Sequence, residues 1–319
     1  MRDEKDAGLM VSKESVDFMI ALLHKESGLV LDSSKTYLIE ARLGPIVCEA
    51  GLSSIDALCL YLKQQPTSPL LQKVVDAMAT NETSFFRDRV PFDIVGNVLL
   101  PDLLKANQKR RRIRIWSAAC ATGQEPYSLA MLLCNIEPML AGWDAGILAT
   151  DLVERVLERA RNGVYSQYEI QRGLPAQYMT RFFDQIGSEW KVRPELKRWI
   201  QFKRLNLLTD FSSFGPFDII FCRNLLIYFD SALKKKILEG MAASLTPNGA
   251  LFLGGGETPL GITDRLIRME VDRGVYYRRN DVIPSPPPPV RRQGIERGEN
   301  LRKDKSGGER ISSGGARDA

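Results

Sequence analysis

Apolar residues recur at helical spacing from Ser12 to about Thr80, then gather into short runs separated by amphipathic stretches from about Pro91. In "SKESVDFMIALLHKESGL" Val16, Met19, Ile20 and Leu23 share one helical face, Ser12 or Ser15 offers a cap, and Gly28 a stop. "SKTYLIEARLGPIVCEAGL" predicts a second helix, interrupted near Gly44-Pro45, and "SIDALCLYLKQQP" a third. "SPLLQKVVDAMATNETSFF" completes an all-helical domain, expected over residues 1–80.

The second part alternates. A helix over 92–105 precedes a strand at 113–116, a helix at 125–136, a strand in "AGILATDLV" ending at Asp151, and a helix at 153–161. "IQFKRLNLL" gives a third strand or strand edge and "FDIIFCRNLLIYF" a fourth. "DSALKKKILEGMAASLTPNG" reads as a helix stopped at Pro247 to Gly249, with closing strands in "ALFLGGGE" and "GVYYRR". Strands alternating with helices predict an α/β, Rossmann-like fold: a parallel sheet with covered faces and an antiparallel edge near the end. Between Tyr165 and Lys203 the alternation breaks, and a turn at Gly187-Ser188 among aromatic runs predicts a small antiparallel β insertion. The expected second domain is 81–280, with its insertion at about 165–203. Residues 281–319 carry proline, glycine, serine and mixed charge with almost no apolar residues, the composition of a disordered tail.

Composition narrows the chemistry. The 319 residues hold no apolar stretch of membrane-spanning length, and the charged "MRDEKDAGLM" lacks the apolar core of a secretory signal. The net charge of +5 is mild, and the basic run Lys109 to Arg112 reads as a solvated loop, so no nucleic-acid partner is expected. Five cysteines without a CxxC pair suggest free thiols in a reducing cytoplasm. One histidine, His24, stands in an N-terminal helical stretch. Histidine proton shuttles, multi-histidine metal sites and Ser-His-Asp triads are thereby disfavoured, and no metal is expected.

The turn in "RIRIWSAACATGQEPYSLAMLL" joins a buried strand to a helix with a single glycine, Gly123. It lacks the G-x-G-x-x-G spacing of a pyrophosphate site. Glu125 at the helix mouth would repel a pyrophosphate and welcome a cationic ligand, and Asp151 ends the next strand where a carboxylate can grip ribose hydroxyls. A ribose-bearing, cationic, phosphate-free nucleoside fits: S-adenosylmethionine. Taken singly, Glu125 also reads as a helix-dipole partner and Asp151 as a helix cap.

"NETSFFRD" (81–88), "WSAACATGQEPYSLAM" (116–131), "ATDL" (149–152), "RLNLL" (204–208) and "FDIIFCRNLLIYFD" (217–230) resemble, in order, the chemotaxis receptor methyltransferase (CheR) family. The resemblance runs from about Ser12 to Arg279 and implies S-adenosylmethionine-dependent methylation of glutamate side chains on chemoreceptor signalling helices. By the same resemblance Asn81, Thr83 and Arg87 line the cofactor pocket, Glu125 binds the methionine portion, and Asp151 holds the ribose. Asn206 and Leu207 lie beside the adenine, and Arg223 and Asn224 complete the cofactor set. Arg87 is expected to orient the incoming carboxylate and Tyr228 to shape the methyl path. Phe85 and Phe86 read as core.

Two departures from the family pattern stand out. The second helix has Gly44-Pro45-Ile46-Val47 where basic residues often stand, leaving Lys35 and Arg42 as candidate receptor contacts. The insertion segment "RFFDQIGSEWKV" is short and holds only Gly187, whereas members that dock on a receptor C-terminal pentapeptide have a longer glycine-bearing loop. Independence of that peptide is expected. A sensor of S-adenosylmethionine without turnover and a methyltransferase serving another receptor pathway stay open at this point.

Overall fold

In the computed structural model the described residues are 11–271 and 274–281, so the tail expected over 281–319 lies outside them apart from its first position. Four helices open the chain: α1 (Lys13–Ser27), α2 (Thr36–Glu49), α3 (Ile55–Gln64) and α4 (Pro69–Met78). Ser12, Ser54 and Ser68 cap three of them by accepting the backbone N–H of Ser15, Ala57 and Leu70. Met19, Leu23, Leu43, Leu58 and Val74 meet in one buried core, each contributing about 1.5–3 kcal/mol by leaving water. The interruption expected near Gly44-Pro45 does not occur; α2 runs through Pro45. An interior proline costs about 3 kcal/mol, but Ile39, Leu43, Ile46 and Val47 on one buried face offset it.

Helix α5 (Val90–Ile94) continues through a π turn (Val95–Leu99) into α6 (Leu100–Ala106). Then follow β1 (Arg112–Ala118), α7 (Gln124–Asn135), β2 (Asp144–Asp151) and α8 (Glu154–Asn162), close to the predicted positions. The insertion holds β3 (Val164–Ser166), α9 (Gln167–Gln171), α10 (Ala176–Phe182), β4 (Phe183–Ile186) and β5 (Glu189–Val192) as an antiparallel sheet of order β3-β5-β4. After α11 (Pro194–Lys197), β6 (Ile200–Arg204) returns to the main sheet as an edge beside β2. The described residues finish with β7 (Phe217–Cys222), α12 (Ser231–Ala243), β8 (Leu245–Leu253), β9 (Leu266–Val271) and β10 (Gly274–Arg279).

The main sheet has the order β6-β2-β1-β7-β8-β10-β9, parallel from β6 to β8, with β10 antiparallel to both its neighbours. Two sequence expectations need correction. Pro247 to Gly249 lie inside β8 rather than ending α12; pairing jumps from Phe217 opposite Leu245 to Ile219 opposite Ala250, and the proline sits in that bulge. Strand β9 escaped notice because as an edge strand it is largely exposed, and its apolar alternation is weak. Side chains alternate across the sheet: Ile113, Ile115 and Phe221 pack toward α7, and Trp116, Ile220 and Cys222 toward α12.

The helical domain is tied to the C-terminal ends of the parallel strands. Asn206 Nδ2 donates to the Glu26 carbonyl (2.8 Å), Val30 N–H to the Tyr228 carbonyl (2.9 Å), and His24 Nε2 meets Asp230 Oδ2 at 2.8 Å. The end of α1 therefore walls a cleft at the sheet's C-terminal edge, where open α/β sheets bind ligands.

Candidate active site

A cleft, open to solvent, lies between the end of α1, the 80–87 segment and the turns after β1, β2 and β7. Every residue expected to touch cofactor or to act in catalysis lines it: Asn81, Thr83, Arg87, Glu125, Asp151, Asn206, Leu207, Arg223, Asn224 and Tyr228. Among the described residues no cluster of three or more His, Cys, Asp or Glu suits a metal.

The turn after β1 is shaped by backbone constraint. Ala119 and Ala121 take positive φ (57° and 48°), costly for side chains with a Cβ and characteristic of functional sites. Asp151 stabilises that shape, its Oδ2 accepting Ala121 N–H (2.8 Å) while Oδ1 accepts Val153 N–H (3.0 Å). Burial raises the Asp151 carboxyl above the usual aspartate value, with the backbone N–H groups of Val153, Ala121 and Leu152 acting against the shift. Gly123 (φ 96°) is required: a Cβ there would stand 2.8 Å from Ala160 Cβ and 3.0 Å from the Tyr165 hydroxyl. That hydroxyl donates to the Thr122 carbonyl (2.7 Å), pinning the turn to β3.

Beyond the turn, Glu125 starts α7 with 12 % of its side chain exposed. Its Oε1 accepts the Ser117 hydroxyl (2.7 Å), and its Oε2 stands 3.7 Å from Arg223 Nη1. Desolvation raises its carboxyl above the glutamate range, opposed first by Arg223 and then by Ser117. Arg223 is 2 % exposed and donates through Nη2 to Asp88. Its Nε and Nη1 are buried without hydrogen-bond partners, as is the Asn224 side-chain oxygen. Unsatisfied buried polar atoms of this kind are costly and call for a partner. The cleft thus offers a cationic fork for a carboxylate, a desolvated carboxylate for an ammonium or sulfonium, and a strand-end aspartate for ribose hydroxyls. Those are the polar groups of S-adenosylmethionine.

Aromatic anchors fix the 81–88 segment. Phe85 packs edge-on against Tyr165 and Phe183, and Phe86 stacks on Tyr178 with centroids 5.3 Å apart, in keeping with their reading as core. Phe86 (φ 47°), Asp88 (62°) and Arg89 (46°) all take positive φ around Arg87, whose Nη1 donates to the Glu82 carbonyl (3.1 Å).

Some side chains have other partners than the sequence suggested. The Asn206 amide is engaged by the protein at both ends, donating to Glu26 and accepting Leu208 N–H (3.0 Å), so it ties α1 to the cleft wall. Arg42 donates to the Met78 carbonyl (2.7 Å) at the end of α4, where a guanidinium offsets unpaired carbonyls. Lys35 is exposed. Sequence reasoning missed Ser117, Asp88 and the α1-end residues Ser27 and Leu29 that line the cleft. Ser117 could have been flagged as the last polar residue of the strand before the turn; Asp88 meets Arg223 only through the fold.

A mostly parallel sheet with a small-residue turn after its first strand and a desolvated glutamate at the following helix mouth is the frame of an S-adenosylmethionine-dependent methyltransferase. The chain belongs to the CheR methyltransferase family: residues 81–275 match its S-adenosylmethionine-binding domain and residues 14–79 its all-α domain. It is 40 % identical over 274 residues to chemotaxis protein methyltransferase 1 of Pseudomonas aeruginosa, covering 84 % of this chain and 99 % of that protein. It is 39 % identical over 260 residues to a chemotaxis protein methyltransferase of Pseudomonas putida, covering 80 % of this chain and 94 % of the relative. A third relative, chemotaxis protein methyltransferase 1 of Vibrio cholerae, is 39 % identical over 273 residues, with 85 % and 98 % covered.

Proposed function

We propose that this enzyme methylates glutamate side-chain carboxylates on the cytoplasmic signalling helices of chemoreceptors, forming glutamate methyl esters in sensory adaptation. The observation that carries this reading is the buried Arg223 between the desolvated Glu125 and the exposed Asp88, with two Arg223 nitrogens and the Asn224 oxygen lacking hydrogen-bond partners beside a turn unsuited to phosphate. When bound, S-adenosylmethionine supplies a methyl group on a cationic sulfur that departs as a neutral thioether. Arg223 would hold its carboxylate, Glu125 its ammonium group, Asp151 the ribose, and the Asn206-Leu207 backbone the adenine, with Asn81, Thr83 and Asn224 closing the pocket.

The chain needs no general base. A substrate glutamate, with pKa about 4.3, is ionised at neutral pH, and His24, the chain's one histidine, is absent from the cleft lining. What remains is placement and exclusion of water, which can supply roughly 7–11 kcal/mol in favourable cases. Arg87 orients the incoming carboxylate, and Tyr228 borders the methyl path. Lys35 is a candidate receptor contact; Arg42, occupied by the end of α4, is the weaker of the two.

The β4–β5 hairpin turns over Gly187-Ser188 without a long loop, which supports independence of a receptor C-terminal pentapeptide. Micromolar binding of such a peptide would overturn that point. Because its substrate helices are cytoplasmic, we place the enzyme in the cytoplasm; among the described residues no helix is long and apolar enough to cross a membrane.

The test is transfer of labelled methyl from S-adenosylmethionine to membranes bearing the source organism's chemoreceptors, followed by mild alkali. Label released as volatile methanol establishes carboxyl methyl esters. Alkali-stable label, or none despite cofactor binding, would overturn the reading. Arg87→Ala and Tyr228→Phe should each cut turnover with the fold intact; near-normal rates in both would remove their assigned roles.

A further inference from the structure

A carboxylate outside the cleft lining anchors the loop that carries Arg223, Asn224 and Tyr228. Glu257, 9 % exposed, follows β8 in "GGGE" and accepts three backbone N–H groups. Its Oε2 takes those of Gly254 (2.6 Å) and Asn224 (2.8 Å), and its Oε1 that of Ile227 (3.3 Å). Asn224 follows the buried arginine and is held at φ 58°; Ile227 precedes Tyr228. One side chain therefore joins both halves of the loop to the end of the sheet.

Local packing is cut to this arrangement. A Cβ on Gly254 would stand 2.8 Å from Asn224 N and 2.8 Å from Glu257 Oε2, so only glycine lets the carboxylate reach the loop. Hydrogen bonds from backbone N–H to an ionised carboxylate are about twice as strong as neutral ones. The loop also meets the segment after α1, where the Tyr228 carbonyl accepts Val30 N–H (2.9 Å). Glu257 and the segment after α1 thus both hold it.

We propose that Glu257 is a positioning residue for methyl transfer, acting on turnover through the placement of Tyr228 without touching either substrate. The inference rests on the methyltransferase reading above. A glutamine keeps one acceptor oxygen but turns an NH2 group toward a backbone N–H, so at least one loop anchor is lost. Misplacement by about 1 Å can cost on the order of 100-fold in rate.

The test measures kcat and KM for receptor methylation, with S-adenosylmethionine affinity by calorimetry, in the parent enzyme, Glu257→Gln, Tyr228→Phe and their double variant. Glu257→Gln should lower kcat roughly 10- to 100-fold with cofactor affinity changed less than about 3-fold. In the Tyr228→Phe background the same change should cost less than about 2-fold more, because both act through one group. Should Glu257→Gln fail to fold, Gly254→Ala, which crowds the same contacts, should show the same pattern. A kcat within about 2-fold of the parent, a loss that only tracks cofactor affinity, or costs that multiply in the double variant would each overturn the role. Alkali-labile label in the parent alongside unaffected variants would overturn the Glu257 role alone. Its absence in the parent would overturn the functional reading as well.

Discussion

Near its N-terminal end β7 buries Asp218, and just past its C-terminal end the chain buries Arg223. Asp218, 3 % exposed, receives Arg110 (2.5 Å), the Arg114 N–H (2.9 Å), the Thr246 hydroxyl (3.2 Å) and the Asn107 amide (3.4 Å). Arg223 is as deeply buried, yet two of its nitrogens have no hydrogen-bond partner. Backbone conformation divides the same way. Apart from Arg111, the non-glycine residues with positive φ among those described lie around the cleft: Phe86, Asp88, Arg89, Ala119, Ala121 and Asn224. One end of the strand is a satisfied network that stabilises the scaffold. The other holds strain and unmet hydrogen bonds, which a ligand can repay.

The sharpest way to break this contrast is to substitute both charges. Arg223→Met should lower kcat/KM for S-adenosylmethionine by roughly 100-fold, since removing a buried charge partner costs about 2–5 kcal/mol of binding, while the melting temperature hardly moves. Steady-state kinetics beside calorimetric melting checks it; a large loss of stability would make Arg223 a scaffold residue like Asp218. Asp218→Ala should do the reverse, lowering unfolding free energy by about 2–3 kcal/mol in denaturant titration without changing turnover of the folded enzyme. Its arginine partner is 46 % exposed and would be left in water, which keeps the cost below that of a stranded buried ion.

A pH series gives the next effect. Desolvation holds Glu125 above its ordinary value of 4.5. The fold without ligand therefore loses stability as pH rises from that value through the raised one, because the ionised carboxylate is the disfavoured form. Cofactor affinity has the opposite sign, since a cationic ligand needs Glu125 ionised. Calorimetry should show affinity falling on acidification at pH values still above the titration of a free glutamate, with Glu125→Gln binding weakly at every pH. An identical pH slope in Glu125→Gln would assign the effect elsewhere.

The smallest effect is expected at the exposed rim. His24 and Asp230 both stand largely in solvent, where such pairs contribute little. His24→Ala should leave cofactor affinity unchanged within error. A change of several-fold would mean that this pair helps hold α1 over the cleft.

Much of this was legible in the chain itself. The spacing of Val16, Met19, Ile20 and Leu23 marked α1, and the apolar run of "FDIIFC" marked β7, because burial of one helical face or of a whole central strand leaves a strong periodic imprint. Glu125 was placed by its position after the turn that follows one strand, and Asp151 by its position at the end of the next. Pro45 and Pro247 misled because a local penalty of a few kcal/mol was weighed without the packing that offsets it in α2 or the bulge that absorbs it in β8.

What the sequence determined by itself is whatever depends on near neighbours: the helices, the central strands, and a strand-to-helix turn without the glycine spacing of a pyrophosphate site. Tertiary structure alone decided which distant groups meet. Asp88 with Arg223, Asn206 with the end of α1, Arg42 with the end of α4, and Glu257 with the loop before Tyr228 are contacts between separate segments. Such pairings follow from how the elements stack, and a hydrogen bond across that distance leaves no periodic trace in the chain.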